Sequence, residues 1–177
     1  PTRGGVLHAA FYTDVRMLDP ALAFDQVASA IQELVYDRLM TYDAHGALVP
    51  QLAVSVDVSE DAKRYVFTLR RGVRFHDGTE LYPADVKRSL ERTLHPKTPC
   101  PVPTLFARIA GFAEYHAGRA PALEGIRLHG QYVIGFTLSE PDPTFLQVLA
   151  LPIAGPVCRS AGSTYDPEGT VAPCGTG

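Results

Sequence analysis

The sequence predicts a mixed α/β fold, an α+β arrangement in which a sheet built from hairpins is covered by two or three helices. Three observations carry the prediction. Val54, Val56 and Val58 alternate along one segment, Tyr65, Phe67 and Leu69 along the next, and the polar stretch Ser59 to Arg64 separates them. The same period of two returns in Tyr132, Ile134, Phe136 and Leu138, whereas Val86, Leu90 and Leu94 repeat at helical spacing. Alternation sends successive side chains to opposite faces of a strand, and i, i+4 spacing stacks them on one side of a helix.

In chain order, Val6 to Phe11 reads as a short buried strand, followed by an irregular segment, Tyr12 to Phe24, that carries Asp14, Asp19 and Pro20. A loop leaving a strand end is a common place for ligand contacts. Asp25 is placed to cap a helix whose apolar face is Val27, Ile31, Leu34 and Val35, with Leu39 extending its end. Ala44 to Gly46 forms a tight turn between edge strands at Met40 to Tyr42 and Leu48 to Val49, and Pro50 ends that pairing because it lacks an N–H.

After the valine and aromatic hairpin, Gly72 breaks the run, and His76 to Gly78 is a turn in which Asp77 accepts from backbone amides and Gly78 supplies a positive φ. Pro83 opens a helix whose Lys87, Arg88, Glu91 and Arg92 are expected to face water. The prolines between His95 and Pro103 end it. Thr104 to His116 reads as a second helical stretch interrupted at Gly111, its Leu105, Phe106, Ile109, Phe112 and Tyr115 directed to packing. A hairpin at Ile126–Leu128 and Tyr132–Leu138 and a helix at Thr144–Leu149, entered through Pro141 and Pro143, follow. Pro152 to Gly177 is rich in Gly and Pro and reads as a connector.

Composition narrows the function. The chain has 177 residues, 46% of them hydrophobic, which is enough to bury a real core. A net charge of −3 with scattered Lys and Arg offers no basic stripe for nucleic acid. No apolar run approaches the length of about 20 residues that spans a bilayer, and Pro1 to Phe11 lacks the organisation of a signal peptide, so any targeting segment is expected to have been removed or left out.

Cys158 and Cys174 bracket a Gly, Ser, Thr and Pro-rich loop; a bridge between them would suit an oxidising compartment and contribute about 3 kcal/mol. The other reading is three separate thiols, with Cys100 in a Pro-rich turn. There is no CxxC and no zinc spacing, so no metal site is expected. Hydrolysis would need a nucleophile and an oriented base; Ser29, Ser59, Ser89 and Ser139 beside His8, His76 or His116 have no GxSxG context, and the His76–Asp77 pair reads as a turn lock.

The order and spacing of several segments identify a scaffold. These are GGVLHAAF at Gly4 to Phe11, LDP at Leu18 to Pro20, LVYDRL at Leu34 to Leu39, and LVPQLAVSVDVSEDAKRYVFTLRRGVRFHDGTEL at Leu48 to Leu81. ADVKRSLERT at Ala84 to Thr93, the segment Leu123 to Pro152 and CGTG at Cys174 to Gly177 complete the series. Together they resemble the N-terminal portion of the family 5 bacterial extracellular solute-binding proteins, the oligopeptide-, dipeptide- and nickel-binding components of ABC importers. The chain departs from that family's frequent tryptophan after the LVP segment, where Val56 or a neighbour stands.

The resemblance implies the N-terminal part of a two-lobed periplasmic-binding-protein-like class II (cluster C) fold. Residues 1–40 would start ligand-binding lobe one, 41–157 would form an accessory α/β domain, and 158–177 would be a connector returning to lobe one, with the second lobe absent. It also implies capture of a peptide in a closing clamp and delivery to a membrane permease, with no enzymatic activity and no cofactor. The full-length protein would be a monomer in the periplasm or at the extracellular face of the membrane, in lipid-anchored form for some members. Ligand contacts carried over by local order are Tyr12, Asp14, Phe24 and Ser29, a lining position at Thr104, and the loop Leu151 to Ile153. Ile153, standing where an arginine would favour an anionic or chelate ligand, tilts the expectation from a nickel chelate toward peptide. A protein-interaction or regulatory module on the same scaffold is the alternative.

Overall fold

Strand pairing follows the alternation closely. The computed structural model describes residues 17–22, 25–162, 165 and 172–177; the strand expected at 6–11 and the expected site residues Tyr12, Asp14 and Phe24 lie outside them. Helix α1 (Gln26–Val35) leads into a two-stranded ribbon of β1 (Met40–Tyr42) and β2 (Leu48–Pro50). Then come β3 (Ala53–Val58), β4 (Arg64–Leu69), α2 (Pro83–Leu94), a 3₁₀ turn (Pro103–Phe106) and α3 (Phe112–His116). β5 (Ile126–Leu128), β6 (Val133–Thr137), α4 (Phe145–Val148) and two further 3₁₀ turns (Pro152–Ala154 and Arg159–Ala161) complete the order. The second sheet runs β3-β4-β6-β5, and every pairing in it is antiparallel.

The buried face of this sheet comes from its two central strands. Tyr65, Phe67 and Leu69 of β4 lie opposite or beside Ile134 and Phe136 of β6, all 1% exposed or less. Phe67 meets Phe136 edge-on at 5.7 Å, and Phe145 of α4 closes over Tyr65 at 5.1 Å and Phe136 at 5.4 Å. Aromatic rings in tilted or edge-to-face contact add to the area they bury. Val86, Leu90 and Leu94 of α2 enter the same core, as their spacing requires.

Three expectations need correction. Val54 and Val58 do not share a buried face with Val56: Val54 is 53% exposed, because the register slips between Ala53 and Ser55 and leaves Val54 as the extra residue of a bulge on an edge strand. In α1 the buried residues are Val27, Ala28 and Gln32, whereas Leu34 is 67% exposed. The stretch Thr104 to His116 is interrupted at Gly111 as expected, that residue standing at φ 80° between the 3₁₀ turn and α3. The largest correction concerns α2, whose charged residues do not form a solvated face. Arg92 and Asp85 are buried, Lys87 Nζ donates to the Ile126 carbonyl at 2.9 Å, and Glu91 accepts from the Leu123 N–H at 2.9 Å. Helix α2 is therefore enclosed on both its apolar and its polar side.

The polar side of α2 receives the end of the chain. Arg88 donates to the carbonyls of Val157 and Gly162, and Ser89 Oγ accepts from the Val157 N–H at 3.0 Å. Arg159 forms a two-pronged pair with Asp85, both contacts 2.8 Å, which holds the guanidinium above its ordinary pKa. Farther along, Cys158 and Cys174 are joined by a disulfide, their Cα atoms 5.4 Å apart. Gly175 then passes so close to the end of α1 that a Cβ there would overlap the Val35 carbonyl oxygen.

Candidate functional site

A cavity of about 290 Å³ opens between the first turns of α1 and the 3₁₀ turn at Pro152–Ala154. Asp25, Gln26, Ser29 and Glu33 line one side; Leu151, Pro152 and Ile153 line the other. The spacing of the α1 residues, roughly i, i+4 and i+8, puts them on a single helical face. Asp25 has two duties, since its Oδ1 accepts from the Ala28 N–H at 2.8 Å and caps the helix while its side chain borders the cavity. The Leu151–Ile153 wall is set by α4, whose last turn hands the chain to Leu151 through Leu151 N–H to Val148 O at 3.2 Å.

Polar contacts tie the lining residue Glu33 and the end of α1 to the chain that follows. Glu33 faces the Arg38 guanidinium at 3.5 Å, and Arg38, itself buried, also donates to Thr41 Oγ1 at 3.3 Å. Gln51 bridges the neck between α1 and β1: its Oε1 accepts from the Arg38 N–H at 2.9 Å, and its Nε2 donates to Asp37 Oδ1 at 2.6 Å. Behind α1, burial pushes the Tyr36 phenol up to about 12, with the nearby Asp19 carboxylate acting in the same direction. A neutral phenol thus sits where the LDP segment, α1 and the returning chain meet.

The structure brings together two of the residues expected from sequence, Ser29 and Ile153, on opposite walls of one cavity. Thr104 sits exposed in the 3₁₀ turn at Pro103–Phe106 and is not among the cavity's lining residues. Tyr12, Asp14 and Phe24 lie outside the described residues. Sequence reasoning passed over the lining roles of Gln26 and Glu33, and it gave Asp25 only a capping role. Helical phase was the available signal, because a helix that presents Ser29 presents residues one turn before and after it on the same side.

Other chemistry-bearing clusters resolve into structural roles. The His76 ring ties down the returning chain, Nε2 lying 2.8 Å from the Gly177 carbonyl and Nδ1 accepting from the Gly175 N–H at 3.4 Å. Asp77 accepts from the N–H and hydroxyl of Thr79 at 2.9 and 2.6 Å, which lowers its pKa and locks the turn. Asp77 also lies near Cys158 and Cys174, but both sulfurs are committed to the disulfide. Among the described residues, no helix is long and apolar enough to cross a membrane.

Comparison with known proteins places the chain in a family. The family profile described as bacterial extracellular solute-binding proteins, family 5 Middle, matches residues 47–177. The periplasmic oligopeptide-binding protein OppA of Escherichia coli (strain K12) is 31% identical over 152 residues, which are 84% of this chain and 28% of that protein. Among solved structures, OppA of Burkholderia pseudomallei superposes with a TM-score of 0.76 at 27% identity, covering 82% of this chain and 29% of that one. The binding protein AgaA of A. tumefaciens R10, solved with agropinic acid, gives a TM-score of 0.77 at 29% identity, covering 93% of this chain and 30% of that one. The chain thus spans between a quarter and a third of the length of these relatives.

Proposed function

The chain belongs to the family 5 bacterial extracellular solute-binding proteins, and from that premise we propose that it is the solute-capturing component of an ABC importer whose solute is a peptide. The observation that carries this reading is the cavity between α1 and the Pro152–Ala154 turn, where Ser29 and Ile153 converge. Its volume is at the small end for a whole ligand site, which suits one wall of a clamp that a second lobe completes. Asp25, Gln26, Ser29 and Glu33 supply polar groups able to meet a peptide backbone, and Leu151 to Ile153 supply an apolar wall for a side chain. Tyr12, Asp14 and Phe24 belong to the same site in this reading.

In the same reading, residues 1–40 and 158–177 belong to the ligand-binding lobe and 41–157 to an accessory domain. The protein works as a monomer outside the cytoplasmic membrane, hands its solute to a permease, binds no nucleic acid and catalyses no reaction. The relatives named above are binding proteins rather than enzymes. A second reading keeps the transport role with a non-peptide solute, favoured by the likeness to AgaA, whose structure holds agropinic acid.

Filling the cavity tests the proposal. Ser29→Trp should abolish binding of a mixed short-peptide pool in calorimetry while leaving the unfolding midpoint nearly unchanged, since Ser29 is only partly buried. Undiminished peptide binding by that variant would remove the cavity from the site.

A further inference from the structure

The two walls of the cavity stand on different segments of the chain, and one buried side chain reaches both supports. Arg92, near the end of α2, is 4% exposed and donates through its two terminal nitrogens to Asp19 Oδ1 and Oδ2 at 2.9 and 2.5 Å. Its Nε donates to the Ala161 carbonyl at 3.3 Å. Asp19 belongs to the LDP segment, where Oδ1 also accepts from the Ala21 N–H at 3.0 Å and the main chain turns through Leu22 N–H to Asp19 O at 3.1 Å. Gln32 of α1 grips the same segment from its other side, through Nε2 to the Leu18 carbonyl at 3.4 Å. Three residues beyond Leu22 stands Asp25, the cap of α1 and a lining residue of the cavity. On the opposite side, Ala161 follows Val157, which Ser89 and Arg88 pin to α2 a few residues after the Leu151–Ile153 wall.

We infer that Arg92 is a positioning residue for the ligand site: by holding Asp19 with its fork and Ala161 with its Nε, it sets the separation of the two walls. A buried ion pair adds little net stability, because desolvation offsets most of the attraction. What the planar guanidinium supplies is geometry, since two parallel hydrogen bonds to one carboxylate fix both distance and orientation in a way the single ammonium of lysine does not. Supporting shells of this kind govern how well lining groups meet their ligand. The inference rests on the cavity being the peptide site.

The test is calorimetric affinity for a mixed short-peptide pool, with unfolding midpoints measured in parallel, for Asp19→Asn, Arg92→Lys, Ser29→Trp and Phe67→Leu. Asp19→Asn keeps the shape of the side chain and Arg92→Lys keeps the charge, so that at least one is expected to fold. Each should weaken affinity by about tenfold, whereas Phe67→Leu, a sheet-core change that also lowers stability, should leave affinity unaltered. If the Asp19 and Arg92 variants lose stability but bind like the unaltered protein, or lose no more affinity than Phe67→Leu, the positioning role is overturned and the cavity reading stands. If Ser29→Trp binds normally, the cavity reading fails and the inference falls with it.

Discussion

The four-stranded sheet and the cavity side of the molecule are held by different physics. In the sheet, neighbouring hairpins bury aromatic and aliphatic side chains of β4 and β6 that alternate along the sequence, and the contacts are apolar and non-directional. Where α2 and the His76 turn meet the LDP segment and the returning end of the chain, segments far apart in sequence are fastened by directional ties: Asp19 to Arg92, Asp85 to Arg159, Val157 to Ser89, Gly175 and Gly177 to His76, and a disulfide. The difference teaches that burial fixes the scaffold, whereas, in the reading proposed above, polar registration fixes the relative placement of the two cavity walls. A site that must keep its spacing gains more from directional bonds than from added apolar area.

Three perturbations sharpen the contrast. The largest effect is expected in the sheet, where Phe67→Ala should cost about 4 kcal/mol in denaturant unfolding, because the ring is fully buried against Phe136. A loss below about 1 kcal/mol would mean that the aromatic cluster is not the keel of the scaffold. Next, reducing the Cys158–Cys174 bond with a phosphine should lower stability by about 3 kcal/mol through the freed loop of the unfolded chain. Urea midpoints with and without reductant measure it, and identical curves would show that the polar ties alone hold the returning chain. The smallest effect belongs to Val54→Thr, on the exposed bulge of β3, which should change stability by no more than about 0.5 kcal/mol in the same urea assay. A larger loss would place β3 within the core rather than at its edge.

The same contrast explains what could be read from the sequence. Tyr65, Phe67 and Leu69 announced β4, and Asp25 announced the start of α1, because strand alternation and helix capping are local rules. Val54 escaped because a bulge is a one-residue slip that alternation does not encode. The charges of α2 escaped for a deeper reason: Lys87, Arg88, Glu91 and Arg92 have the composition of a wet face, and nothing within the helix states that Asp19, Leu123, Ile126, Val157 and Ala161 will come to meet them. Ser29 and Ile153, carried over by resemblance, both line one cavity. Gln26 and Glu33 were within reach of helical phase. Thr104, carried over by local order alone, is exposed in a 3₁₀ turn and is not among the residues that line this cavity.

Hydrogen exchange of the native protein, with and without a saturating short-peptide pool, tests the central claim most directly, since it reports both regions at once. The account predicts slowed exchange in Gln26–Val35 and around Ile153 when peptide is present, with the amides of β4 and β6 unchanged. Protection appearing in the sheet while Gln26–Val35 and Ile153 exchange as before, under conditions where calorimetry shows peptide bound, would contradict it.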